Sequence, residues 1–344
     1  MAADGRPRRS ATGANRPGPL NAGRLAALVL AVLLPAGPAA AEQRVVNALE
    51  YPWSGIGRLN AAGHGFCSGV LVSERHVLTA AHCLQEPGSH RRWRPGELTF
   101  VAGYQQGEKP IYAKVKAFTA ADDSGATEHP RVTADNDWGL LELAEPIGRQ
   151  AGWLGVLTLE PATLLAWLQL RGAAIVLAGY RSDRPEVLTI DSDCRFRGFV
   201  ERSRLLIHFC APVSGDSGGP LLAFVDGEAR VIGVNTLQLS GPDVRYGGAV
   251  AGAVLADAKE WPLAAAAMGD AGFAPSPGGR APPAGSPAAS TPAATVASLL
   301  HLPERSDADA LSRSIRAAEQ AHGLPVTGTP SVTLLGVLLV PAAR

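Results

Sequence analysis

The run Gly215-Asp216-Ser217-Gly218-Gly219-Pro220 sets a serine among glycines, where a hydroxyl can stand clear of neighbouring side chains and act as a nucleophile. A serine hydroxyl is weak at its own pKa, so it needs a base within reach and an acid to orient that base. Two chain orders supply these partners, serine–acid–histidine and histidine–aspartate–serine. After Ser217 the only histidines are His301 and His322, both beyond an Ala/Pro/Gly-rich stretch, so the first order fails. The second order is available. Thr79-Ala80-Ala81-His82-Cys83 follows an apolar pair, Val77 and Leu78, and offers His82 as general base. Asp137 opens Asp137-Trp-Gly-Leu-Leu-Glu-Leu143 and would enter the interior where an apolar strand begins. A buried carboxylate there holds the imidazole in one tautomer and stabilises the imidazolium. Asp135 competes for that role, and the apolar run after Asp137 favours Asp137.

The elements that must carry these residues read as strands. Segments 66–73, 76–79, 98–104, 111–119, 138–143, 173–180, 205–209, 221–225 and 231–236 are short and alternating or β-branched, with Pro, Gly, Asn and Asp between them. That pattern predicts an all-β barrel or sandwich over residues 45–265. A closing helix is expected near residues 254–261.

The chain has 344 residues, 46% hydrophobic and 18% charged, which suffices for one large core with something small beside it. Lys and Arg total 31, as do Asp and Glu, so no concentrated positive charge points to nucleic acid. The N-terminus reads as an export signal: Arg6, Arg8, Arg9, Arg16 and Arg24, then ten apolar residues at 25–34, then Ala39-x-Ala41. Residues 1–41 form the expected signal peptide. Ten apolar residues fall short of the ~20 that span a bilayer, so no membrane contact is expected after signal removal. Cys67, Cys83, Cys194 and Cys210 are an even set for an oxidising compartment, each adjacent pair 16 apart (83 − 67 and 210 − 194). Each pair could close its own loop; four reduced core cysteines are the alternative, and no C-x-x-C spacing suggests zinc. No metal or organic cofactor is implied. The expected location is secreted or periplasmic.

Residues 266–294 are rich in Ala, Pro, Gly and Ser and read as a flexible linker. Residues 295–344 then form a small helical module. Ser306-Asp-Ala-Asp309 resembles a capping box; Leu311, Ile315 and Ala318 share one face; Gly323 ends the helix. Thr329-Pro330 opens a second short helix with proline at its first position.

TAAHC, D-x-x-L-L-x-L and GDSGGP, in this order and spacing, resemble the trypsin/chymotrypsin family of serine endopeptidases over about residues 45–262. The resemblance implies two six-stranded antiparallel β-barrels with the site in the cleft between them. Tyr51-Pro-Trp-Ser-Gly-Ile-Gly-Arg58 and the compact spacing look like the bacterial branch that includes glutamyl endopeptidases. Carried over, Ser217 attacks the scissile carbonyl, His82 takes and returns the proton, and the N–H groups of Gly215 and Ser217 form the oxyanion hole. Cys67 and Cys83 match the family's disulfide around the histidine. Cys194 and Cys210 do not match the vertebrate pattern, in which a cysteine stands where this chain has Val213.

Arg44-Val45-Val46-Asn47 resembles the family's activation junction. Residues 42–44 would then be a short propeptide, and the freed Val45 amine would pair with Asp216, as in a zymogen. These residues could equally just start the first strand. In the implied specificity pocket, Ala211 stands where trypsin-like enzymes carry an Asp, which removes basic specificity. Asn235 falls where glutamyl endopeptidases place a His. Thr236 occupies the position of a serine that contacts the catalytic Asp, Gln238 replaces a common glycine, and Gly248 completes the wall. A small or uncharged residue before the scissile bond is expected. The run Gln320…Gly323-Leu324…Gly328 resembles the second half of peptidoglycan-binding modules. The expected partners are a protein or peptide substrate and peptidoglycan. The runner-up function is a catalytically silent binding protein on a serine-protease scaffold.

Overall fold

The computed structural model describes residues 43–89, 91–106, 108, 111–121, 132–192, 194–200, 204–225, 228–240, 245–256, 280, 293–303 and 306–339, all within one compact unit, Ala40–Arg344. The expected signal peptide, the first residue of the expected propeptide and nearly all of the expected linker lie outside them. β1 (Gln43–Val45) leads into a closed six-stranded barrel of β2 (Ile56–Ala61), β3 (Gly65–Leu71), β4 (His76–Thr79), β5 (Leu98–Ala102), β6 (Ile111–Ala120) and β7 (Gly139–Leu143), ordered β2-β3-β4-β7-β6-β5. A nine-stranded sheet follows. It comprises β1, β8 (Gly155–Val156), β9 (Ala174–Arg181), β10 (Arg184–Asp191), β11 (Phe196–Val200), β12 (Leu205–His208), β13 (Pro220–Val225), β14 (Glu228–Ser240) and β15 (Arg245–Ala251).

The fold is chymotrypsin-like, with one difference from the two closed barrels that the motifs imply. The second sheet runs β1-β10-β9-β13-β14-β15-β12-β11, with β8 pairing β14, and its ladder stays open among the described residues. Side-chain and covalent ties replace the missing ladder. Asp191, at the end of β10, accepts the N–H of Ala211 at 2.7 Å. Just beyond β12, the Cys194–Cys210 disulfide and the Phe209 N–H to Arg195 carbonyl bond draw the same strand ends together.

Alternation along the strands builds the cores. In β13, Leu221, Ala223 and Val225 face one apolar cluster while Leu222 and Phe224 face another. In β7, Leu141 and Leu143 fill the first barrel while Leu140 turns to the cluster shared with the second sheet. Strands buried on both faces read as near-continuous apolar runs, which is why 173–180 and 221–225 are visible in the sequence. β2, β10, β11 and β15 escape that reading because Gly57, Pro185, Gly198, Gly247 and Gly248 interrupt their patterns. Helix α1 (Gly148–Ala151) is a single turn, and α2 (Pro161–Leu170), which starts on a proline, buries Leu164 and Leu168. The closing helix α3 is described over Gly252–Ala256.

The C-terminal helices α4 (Ala293–Leu299), α5 (Ala308–Ala321) and α6 (Val332–Leu339) share a core with the second sheet. Val296, Ile315, Leu334, Leu335 and Leu339 are buried in the cluster that holds Trp53 and Phe224. Thr295 donates through both its N–H and its hydroxyl to Glu50. Helix α5 is capped by Asp307, one residue later than the serine of the capping box, because the Asp307 carboxylate reaches the Ala310 N–H. Ser331 caps α6 by accepting the Leu334 N–H, so Pro330 precedes the cap and does not occupy the first turn. Among the described residues no helix is long and apolar enough to cross a membrane.

Candidate active site

His82 sits in a short 3-10 turn, Ala81–Leu84, directly after β4. The Cys67–Cys83 disulfide straps that turn to β3. Asp137 lies two residues before β7, which pairs with β4 in register Thr79↔Gly139. The strand pair thus brings His82 and Asp137 side by side. Asp137 is 4% exposed, and both its oxygens serve His82: Oδ1 accepts the backbone N–H at 2.9 Å and Oδ2 lies 2.6 Å from Nδ1. With Nδ1–H donating to the carboxylate, Nε2 is left as the free acceptor of the half-exposed ring. Asp135 faces elsewhere, taking the Thr133 hydroxyl and an ion pair with Arg204.

The Ser217 turn is carried on the second sheet and pressed against the first barrel. Gly215 has φ +94°, and a Cβ there would lie 2.3 Å from the Tyr180 carbonyl. Gly218 has φ +78°, and its Cβ would meet the Thr79 hydroxyl at 2.2 Å and the Ser68 carbonyl at 2.3 Å. Only glycine combines that backbone with that proximity, so the residue after Ser217 touches the segment leading into His82. The Ser217 carbonyl accepts the Ser68 N–H at 2.8 Å. Among the described residues neither the Gly215 nor the Ser217 N–H is taken by a protein acceptor, which leaves two amides of one turn available to an incoming oxyanion. The Ser217 hydroxyl makes no hydrogen bond among the described residues; such bonds commonly tighten only with substrate present.

Ser68 carries no motif signal, and its role emerges only from the structure. Its fully buried hydroxyl donates to the Gly215 carbonyl at 2.8 Å and accepts the Tyr180 N–H at 2.8 Å, while its carbonyl takes the Thr79 hydroxyl. One side chain of the first barrel thereby pins the serine turn and strand β9 of the second sheet.

The other sequence-predicted residues fall as follows. Val45 is 46% exposed in β1, opposite Thr189, and the structure does not bring it to Asp216. The Asp216 carboxylate accepts the Val213 N–H at 2.9 Å and faces Arg181 at 3.6 Å. Burial pushes the Asp216 carboxyl up to about 6, against the opposing pull of the Val213 N–H and Arg181. Ala211 is held between Asp191 and Arg181, the latter donating to its carbonyl. The Thr236 hydroxyl meets the Gly248 carbonyl at 3.4 Å, not Asp137. Gln238 is exposed on β14, opposite Gly247. His208, absent from the sequence reading, is fully buried on β12 beside Gly247, Pro212 and Asn235. Burial lowers its pKa to about 4, so it is neutral at physiological pH. Cys67, Cys83 and His82 lie close enough together to resemble a ligand set. The disulfide occupies both sulfurs, and thiolates are what a metal would need.

The chain resembles several characterised proteins. It is 31% identical to a trypsin of Phaedon cochleariae over 59% of this chain and 79% of that protein. It is 28% identical to a glutamyl endopeptidase of Bacillus licheniformis over 41% of this chain and 40% of that one. With serine protease 23 of Mus musculus the identity is 31% over 40% of this chain, which spans 37% of that protein. A solved structure of Glu endopeptidase in complex with MPD covers 66% of this chain and 95% of its own, at 18% identity and a TM-score of 0.48. A family model described as Trypsin matches residues 42–258. With that match spanning more than half its length, the chain belongs to the trypsin family of serine proteases.

Proposed function

We propose that this protein is an exported serine endopeptidase working through His82, Asp137 and Ser217. The observation that carries the reading is the pair of hydrogen bonds that the Asp137 carboxylate accepts from the His82 backbone N–H and Nδ1, next to a serine turn with two open amides. Ser217 Oγ attacks the scissile carbonyl carbon as His82 Nε2 takes its proton. The oxyanion rests on the Gly215 and Ser217 N–H groups. Collapse expels the amine, which leaves with the proton from His82. Water then repeats the cycle on the acyl-enzyme and releases the acid. Hydrolysis of a fluorogenic peptide by the purified protein, compared with Ser217→Ala, tests this. Turnover lost in the variant is expected; equal turnover in both contradicts the role of Ser217, and no turnover in either favours a silent binding scaffold.

The pocket reading rests on Ala211, which offers no charge to a substrate side chain, so a small or uncharged residue before the scissile bond is preferred. A peptide-library cleavage profile dominated by Lys, Arg, Glu or Asp at that position contradicts this. A second reading concerns the C-terminal helices, whose Gln320…Gly328 run supports attachment to the cell wall. Sedimentation of the intact protein with peptidoglycan sacculi tests it: retention supports attachment, and full recovery in the supernatant leaves the helices as a cap on the sheet.

A further inference from the structure

Asp216 stands between Gly215 and Ser217, so whatever fixes its side chain also fixes the peptide planes of both amides. It is 2% exposed, and a buried carboxylate needs a cation and hydrogen bonds to stay ionised. The cation comes from β9. Arg181, 4% exposed, places Nη1 3.6 Å from Asp216 Oδ2. The same nitrogen donates to the Ala211 carbonyl, and Nε donates to Asp183 at 3.1 Å. Asp183 is more than half exposed, so water screens its claim on the guanidinium more than that of buried Asp216. Val213 donates to the same Asp216 oxygen. Residues 211–217 are thus strung from one internal guanidinium while Val45 remains exposed in β1.

We propose, on the reading of Ser217 as nucleophile, that Arg181 is the positioning residue that holds Asp216 and the two amides in place, so that hydrolysis needs no free amine at Val45. Arg181 touches no reacting atom. It acts through Asp216, whose other charged neighbours are Asp183 and Asp191.

The test compares full-length wild type with Arg44→Gln, Arg181→Gln and Arg181→Lys. Each is characterised by N-terminal sequencing, thermal melting, an organophosphorus probe mapped to its residue, and kcat and KM on one peptide. Arg44→Gln, with residues still preceding Val45, is expected to keep the wild-type kcat. Arg181→Gln is expected to lose about 100-fold in kcat with little change in KM, the scale of a lost oxyanion donor. Arg181→Lys, which keeps the charge, recovers part of that loss. The acid limb of the Arg181→Gln pH profile moves to higher pH, because only the Val213 N–H then opposes burial, Asp183 and Asp191 at Asp216. A cooperatively melting Arg181→Gln with wild-type kcat overturns the proposal. So does activity that tracks only chains beginning at Val45. Should Arg181→Gln fail to melt cooperatively, the Arg44→Gln arm decides alone. A wild type that fails to label at Ser217 overturns the underlying reading of the nucleophile, an outcome distinct from the others.

Discussion

Both oxygens of Asp137 are committed to His82, so the acid can be removed electrically without being removed sterically. Asp137→Asn should retain the fold and lose about 10⁴-fold in kcat, since an amide would favour the wrong imidazole tautomer. Steady-state kinetics with a melting curve check this, and a loss below tenfold would move the acid's role elsewhere. Ser68→Ala strands the Gly215 carbonyl and the Tyr180 N–H in a buried site. The expected cost is about 1–3 kcal/mol of stability, read from urea unfolding, with kcat reduced and KM nearly constant. The two residues differ in how legible they are. Asp137 is announced by the apolar strand that follows it, because a strand beginning in the core must carry its first side chain there. Ser68, Arg181 and His208 belong to no local pattern. Their partners lie 147, 35 and 27 residues away (215 − 68, 216 − 181 and 235 − 208), and only the assembled barrels bring them together.

Strands position the site, and their titrating residues make the second sheet sensitive to acid in two opposing ways. His208 on β12 has its folded pKa depressed from 6.5 to about 4. The unfolded chain binds that proton first, so stability present above pH 6.5 is lost as pH falls toward about 4. Asp216 is the reverse, its folded pKa raised from 3.8 to about 6. Its contribution is fully present below 3.8 and is lost as pH rises through about 6. Between those limits the two offset each other. His208→Gln removes only the acid-labile part, so its urea midpoint should fall less than wild type between about pH 7 and about pH 4.5. Equal falls would refute a buried neutral His208. Runs such as 173–180 are visible in the sequence because burial on both faces makes them uniformly apolar. The open seam of the second sheet is not, since its closure rests on Asp191, Ala211 and the Cys194–Cys210 bridge, none of which has a periodic signature.

Among the described residues one apolar cluster joins strands of the first barrel, the second sheet and the C-terminal helices. The C-terminal helices look separable in sequence because an Ala/Pro/Gly-rich stretch precedes them, yet their apolar face lies on the sheet that carries Ser217. Composition reports the stretch but not where the far end docks. Leu335 is fully buried in the shared cluster, so Leu335→Ala should lower the stability of the protease fold itself by about 2–5 kcal/mol. A single cooperative transition at lower temperature is the expected calorimetric result; an unchanged main transition would show the helices to be independent. All of this scaffolding serves one claim, that Ser217 is a nucleophile activated by His82 and Asp137. The most direct measurement is intact mass after reaction with an organophosphorus ester, followed by peptide mapping. One adduct per chain, located on Ser217, absent in Ser217→Ala and strongly slowed in His82→Ala, is the predicted result. An adduct on another residue, or undiminished labelling of Ser217→Ala, would contradict the assignment.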